Sequence, residues 1–183
     1  MSGLHTSEIE CLVRRMLSDV TPNESIASIR AYRSPVHWLG VFTRDQLPDL
    51  HHMQRPFAVG FNTDPNNKPG QHWLSIFGPN EGPLEFFDTF GMPPSYYGLT
   101  SLFTYSLISF QSYSSDLCGY YTLYFIYHRS RNISFIKIIL LLKSISVPDT
   151  HVKNYVLSLQ KAYRLINFCH RTGRCCTFKC SFC

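Results

Sequence analysis

Cys118 is followed by a glycine and then by the run YYTLYFIYH (Tyr120–His128). A cysteine attacks a carbonyl carbon as the thiolate, and a free thiol titrates near pH ~8.5. Two devices lower that value: a helix N-terminus beneath the sulfur and an imidazolium beside it. A helix starting at Cys118 would supply the first. For the second, His72 stands in HWLSIF, and Asp88 in LEFFDT can orient it. Such a carboxylate holds the tautomer and stabilises the imidazolium. The oxyanion that forms on the attacked carbonyl needs a donor, an interaction typically worth about 3–4 kcal/mol in the transition state. Gln111, seven residues before Cys118, offers its side-chain amide alongside the Cys118 backbone N–H. Together these residues could perform nucleophilic acyl transfer.

That chemistry requires elements which bring the four residues together. His72–Phe77 and Leu84–Thr89 are β-rich runs separated by GPNEGP, which predicts an antiparallel hairpin with a loop of about five residues. If Phe77 pairs with Pro83, His72 falls opposite Asp88. Directly opposed residues have Cβ atoms about 4.5–5.5 Å apart. A slip of one residue would send the two side chains to opposite faces. The apolar run Tyr120–His128 reads as a central strand or a fully buried helix, and Ser114, Ser115 and Asp116 as N-cap candidates favour the helix.

Other elements frame these. A helix is predicted from about Thr6 to Asp19, with Ser7 and Glu10 as a capping box and Ile9, Leu12, Val13, Met16 and Leu17 as its apolar face. Short extended pieces are expected around His37–Phe42 and Phe57–Phe61, a loop over Thr63–Gly70, and a further apolar run over Leu107–Phe110. Two more helices are expected near Ser134–Ser144 and Asp149–Phe168.

A chain of 183 residues with 44% hydrophobic and 16% charged residues can build one sizeable core. The composition excludes disorder throughout, a collagen-like fibre and a coiled coil. The longest apolar stretch, Ile133–Leu142, is too short for a bilayer span of about 20 residues. No secretory signal is visible, so an intracellular location without a membrane partner is expected, with nucleus and cytoplasm left open. One domain is expected over residues 1–168, followed by a disordered Cys-rich basic tail over 169–183. The net charge of +5 is divided unevenly: residues 1–128 sum to −4 and residues 129–183 to +9. The basic third could touch a polyanion, or simply solvate helix faces.

Seven cysteines and no secretory signal argue against a disulfide framework. The tail cysteines (Cys169, Cys175, Cys176, Cys180 and Cys183) match no pair of zinc knuckles, and no metal site is expected. Trp73 reads as a packing residue shielding His72, and His37-Trp38 as structural or as part of a substrate rim.

The order His-Trp, an acid at a strand end, Gln, then Cys-Gly resembles the adenovirus protease superfamily. Its members include proteases of SUMO and other ubiquitin-like modifiers, and proteases of Polinton (Maverick) DNA transposons. The matching segments are QHWLSIF, LEFFDTFG and FQSYSSDLCGYYTLYFIYHRSR, with GVFTRDQLP (Gly40–Pro48) ahead of them. The likeness covers roughly residues 6–165 and is nearest in character to the transposon enzymes.

This resemblance implies an α+β fold, papain-like or adenain-like. In it a twisted mixed sheet carrying His72 and Asp88 packs against the helix that starts at Cys118. It also implies a cysteine endopeptidase that processes capsid-type polypeptides and needs no metal or organic cofactor. Carried over, His72 is the general base, Asp88 its orienting acid, Cys118 the nucleophile and Gln111 the oxyanion donor. The adenoviral enzyme has Glu where Asp88 stands, and a cofactor-binding Cys where Thr100 stands, which argues against covalent activation here. If the likeness extends to activation by DNA, contact should centre on residues 129–183, through Arg129, Arg131, Lys153, Lys161 and Arg164.

Other readings stand beside this one. The same chemistry would serve a deconjugating protease of SUMO-type modifiers. From another class, the chain could be a non-catalytic transposon relic or a basic nucleic-acid-binding module. Taken singly, His72 reads as an ordinary strand histidine and Cys118 as an inert buried thiol. The joint arrangement favours catalysis.

Overall fold

Strand alternation accounts for two cores on one sheet. The computed structural model describes residues 4–18, 36–68 and 70–170, with side chains to residue 162. Its five strands are β1 (His37–Thr43), β2 (Phe57–Asn62), β3 (Trp73–Gly78), β4 (Leu84–Phe87) and β5 (Phe103–Tyr105). They form one mixed sheet in the order β1-β2-β3-β4-β5. The inner pairs β2–β3 and β3–β4 are antiparallel, and the outer pairs β1–β2 and β4–β5 are parallel.

On one face Phe57, Val59 and Phe61 of β2 join Leu74 and Ile76 of β3 and Leu84 and Phe86 of β4. Leu50 and Phe103, with Tyr97 and Leu99 half-buried against them, cover that cluster. On the other face Ala58, Trp73, Phe77 and Phe87 meet the helices. Burial on both faces explains why β2, β3 and β4 are almost continuously apolar.

Among the described residues, four helices complete an α+β fold: α1 (Thr6–Ser18), α2 (Cys118–Ser130), α3 (Phe135–Ser144) and α4 (Pro148–His170). Helix α2 is the hub, packing on β3, α1, α3 and α4. Every residue from Cys118 to Tyr127 is buried, which is why the run lacks an amphipathic pattern. Phe125 stacks on Phe87 with centroids 4.7 Å apart and meets Phe135 edge-on. Gly119 lets α1 approach: a Cβ there would lie 3.0 Å from that of Leu4. No helix among the described residues is long and apolar enough to cross a membrane.

Several expectations change in detail. Helix α1 has its predicted span and buries Ile9, Val13 and Met16, but its cap lies two residues earlier. The His5 N–H donates to Glu8, while Glu10 accepts from Arg14 and from the Trp38 indole. Trp38 therefore ties β1 to α1. The N-cap of α2 is Leu117, without a side-chain hydrogen bond, rather than Ser114, Ser115 or Asp116. Strand β5 lies in a stretch where no element was expected.

The hairpin register also differs. Phe77 pairs with Glu85, Ile76 with Phe86 and Ser75 with Phe87, two residues from the expected offset. Pro83 has no N–H to contribute to a ladder, and Gly78 continues β3 by pairing with Phe57. Because the shift is even, it preserves the faces, and His72 and Asp88 stay on the same side.

Arg129 is not a surface cation awaiting a polyanion. It is buried, and it reaches back to β4, donating to Glu85 through Nε (2.5 Å) and Nη2 (3.0 Å). Its guanidinium lies 4.5 Å from the centre of the Phe77 ring and also donates to the Ile133 carbonyl. Burial pushes the Glu85 carboxyl up, and the charge and hydrogen bonds of Arg129 only partly counter this. Removing one partner of a buried pair strands the other charge, at about 3–5 kcal/mol. Arg129→Met is therefore expected to lower unfolding stability by about that much, measured by denaturant titration. Glu85→Gln combined with Arg129→Met should restore most of the loss, and no recovery would show that the pair is not what matters there.

Arg131 is also engaged, with its guanidinium 3.6 Å from the centre of the Tyr127 ring. The Arg164 side chain and the tail from residue 171 lie outside the described residues, as do the side chains of Cys169 and His170.

Candidate active site

Asp88 directly follows β4 and is 3% exposed, with both carboxylate oxygens occupied. Oδ1 accepts from the Phe90 N–H at 2.9 Å and faces His72 Nε2 at 2.7 Å. Oδ2 accepts from the Met92 N–H and the Tyr97 hydroxyl, both at 2.9 Å. A short turn closed by the Gly91 N–H on the Asp88 carbonyl brings the Phe90 and Met92 donors round to the carboxylate. Burial would raise the carboxyl; the His72 hydrogen bond and charge, with the Phe90 and Tyr97 donors, outweigh it and hold Asp88 below the ordinary range.

His72 immediately precedes β3. Burial disfavours its charged form, but the Asp88 hydrogen bond and a further one with Cys118 more than offset it, raising the imidazole from 6.5 to about 9. With Nε2 engaged by Asp88, Nδ1 is the nitrogen left for Cys118. The ring packed against the imidazole is that of Phe90, centroids 4.6 Å apart and planes tilted by 31°. Trp73 is buried in the helix-side core and lines the cavity described below.

Cys118 is the first residue of α2 and is 7% exposed. It lines a cavity of about 920 Å³ together with His72, Trp73 and Gln111. The N-terminal part of α1 and residues Leu39–Phe42 of β1 form its other wall. His37 and Trp38 do not line it, so a place for them on a substrate rim gains no support.

Gln111 is held at both ends of its amide. Its Oε1 accepts from the Thr89 hydroxyl at 2.7 Å, and its Nε2 donates to the Ser115 carbonyl at 2.8 Å. An amide nitrogen carries two protons, so one remains available to the cavity. The backbone is positioned equally firmly: the N–H groups of Phe110 and Gln111 both donate to the Thr89 carbonyl. Gly91 makes this docking feasible, at φ +71°, since a Cβ there would lie 2.7 Å from the Leu107 carbonyl group.

The structure thus brings His72 and Asp88 into direct contact, and places His72, Gln111 and Cys118 around one cavity. Sequence reasoning missed Thr89, Phe90 and Tyr97, the residues that hold the amide, imidazole and carboxylate in place. Thr89 and Phe90 were findable as the two residues after Asp88, in the turn that Gly91 completes. Tyr97, in the 3₁₀ turn Pro94–Tyr97, carried no local signal.

No protein-family model matches the chain, and no curated protein matches it.

Removing a single oxyanion donor costs about 10²–10³ in kcat. If the site cleaves a peptide amide, Gln111→Ala should lower kcat by about that factor, with a small change in KM, read from initial rates. An unchanged kcat would remove Gln111 from the site.

Proposed function

We propose that this protein is a cysteine endopeptidase of the adenovirus-protease type, with an adenain-like arrangement of its α+β fold. The observation that carries this reading is the His72–Asp88 contact of 2.7 Å, on an imidazole that lines one cavity with Cys118 and Gln111. Two further features support it. Cys118 sits at the N-terminus of a helix whose first N–H groups have no side-chain cap, where a negative sulfur is favoured. The His72 imidazole, raised to about 9, is protonated at neutral pH, as a thiolate partner must be.

In this mechanism Cys118 Sγ attacks the scissile carbonyl carbon and forms the S–C bond. The carbonyl oxygen takes the negative charge, facing the free amide proton of Gln111 and the Cys118 N–H. Collapse breaks the C–N bond while His72 gives its proton to the leaving nitrogen. Water then loses a proton to His72 and attacks the thioester, releasing the acid and regenerating the thiolate and imidazolium. The natural substrate on this reading is a viral or transposon capsid-type polypeptide.

The test is covalent trapping with a peptide vinyl sulfone, read by intact mass and peptide mapping. A single adduct on Cys118, abolished by prior alkylation, is expected. No adduct on Cys118 under conditions where other cysteine peptidases react would overturn the proposal. Preferential trapping by probes built on ubiquitin-like modifiers ending in Gly-Gly would redirect the substrate class to deconjugation.

A further inference from the structure

A second cavity, of about 480 Å³, also opens onto His72. It shares Gln71, His72 and Phe90 with the larger one, but neither Cys118 nor Gln111 lines it. We propose that this cavity receives the leaving-group side of a polypeptide substrate and that Arg44 selects an acidic side chain there. The inference rests on the peptidase reading and names the specificity of the same site.

Direction follows from the chemistry. The acyl half of the substrate must lie where Cys118 and the Gln111 amide can reach its carbonyl, in the larger cavity. The leaving nitrogen takes its proton from His72, so the chain beyond that nitrogen runs past the imidazole. The space beside it that Cys118 does not line is the second cavity.

Its walls fit an extended peptide. Tyr113 is 85% exposed yet held flat on Phe90, centroids 5.4 Å apart with planes at 7°. Phe90 is in turn held against His72. Opposite, Tyr96 is 66% exposed and meets Tyr97 edge-on at 5.1 Å, while Tyr97 is anchored to Asp88. Both exposed rings are thus fixed through one intermediary to the acid–base pair, which offers contact area at little cost in order.

Beside the His72 imidazole, this lining holds one further cation, Arg44, exposed just beyond β1. Among the described residues its guanidinium has no ion pair and no hydrogen bond. In the acid next to it, Asp45, Oδ1 accepts from the Thr43 hydroxyl and the Asn66 N–H, and the carboxylate makes no ion pair with Arg44. Arg44 meets Asp64 through backbone atoms alone. A guanidinium lacking a partner, beside aromatic walls, complements a carboxylate on the incoming chain.

The experiment digests a proteome-derived peptide library with the full chain and sequences both sides of each cut by mass spectrometry. Asp and Glu are expected to be enriched about fivefold or more within the three positions after the cut, at low ionic strength. The enrichment should fall at about 0.5 M salt, where screening is strong. Arg44→Glu should exchange the preference for Lys and Arg, and Arg44→Gln should abolish it. Being a ratio within one digest, the preference does not depend on how much of a variant folds. Cuts with no acidic enrichment, or with the same enrichment in Arg44→Glu, overturn the subsite and leave the peptidase reading standing. No cuts at all overturn both.

Discussion

Cys118→Ala is expected to lower kcat/KM on a cleaved peptide by about 10⁴-fold or more, because Cys118 carries the one thiol lining the cavity. The cavity wall contributed by Leu39–Phe42 and by α1 should still bind substrate, so KM is expected to change far less than kcat. The fold should survive, since the change removes one sulfur atom at the cavity-lining first residue of α2 and leaves the rest of the helix untouched. Cys11→Ala supplies the control: Cys11 is half-buried on α1 and should be replaceable with little effect on rate. A Cys118→Ala protein that keeps its activity would show that the reaction, if any, runs elsewhere.

The second large effect is expected at Asp88, where Asp88→Asn should lower kcat by about 10³-fold, by the logic of the serine-protease triad. Each oxygen of Asp88 accepts a backbone N–H, from Phe90 or Met92, so neither position tolerates an NH₂ group. Placed near Oδ1, the NH₂ would oppose the Phe90 N–H and point a donor at His72 Nε2. That would force the proton onto Nδ1, the nitrogen that faces Cys118. Placed near Oδ2, it would oppose the Met92 N–H and displace the Tyr97 hydroxyl. Leaving such a buried group unpaired costs about 1–3 kcal/mol, so a measurable loss of stability should accompany the loss of rate.

The pH profile separates an electrostatic role from a merely structural one. With His72 raised to about 9, the imidazolium persists to that pH, and kcat/KM should fall tenfold per unit above it. In Asp88→Asn the hydrogen bond that raises His72 is lost while the burial that lowers it remains, so the alkaline limb should move well down in pH. The linked stability has the same sign: the contribution of a raised histidine is full below 6.5 and is lost as pH rises through about 9. An alkaline limb that stays in place in the variant would exclude Asp88 as the group that sets the His72 charge.

Much of the site was legible in the chain because it depends on local rules. The run after Cys118 reads as a central strand or a buried helix because it is apolar on every side; the cap candidates Ser114, Ser115 and Asp116 favour the helix, and α2 does begin at Cys118, though its N-cap is Leu117. HWLSIF and LEFFDT read as paired strands because β-rich runs flank a Gly/Pro loop, and β3 and β4 pair antiparallel. Parity protected the deduction about His72 and Asp88. A register error of two residues leaves the same faces together, so the two residues met although the predicted pairing was wrong.

What the chain did not disclose depends on contacts distant in sequence. Gln111 could be chosen by its type and its spacing from Cys118. What aims its amide is the Thr89 hydroxyl, 22 residues away, docked through a turn that needs glycine at Gly91. Arg129 read as part of a basic surface because its charge is visible in sequence, while Glu85, 44 residues earlier, became its buried partner once α2 lay on the sheet. Tyr97 and Phe90, which hold the Asp88 carboxylate and the His72 ring, are aromatic residues with no periodic signal to mark them. Residue type and local periodicity determined which groups could do the chemistry and which elements carry them. Only the packed tertiary structure decided their orientation, because hydrogen bonds between residues far apart in sequence form only where the fold brings those residues together.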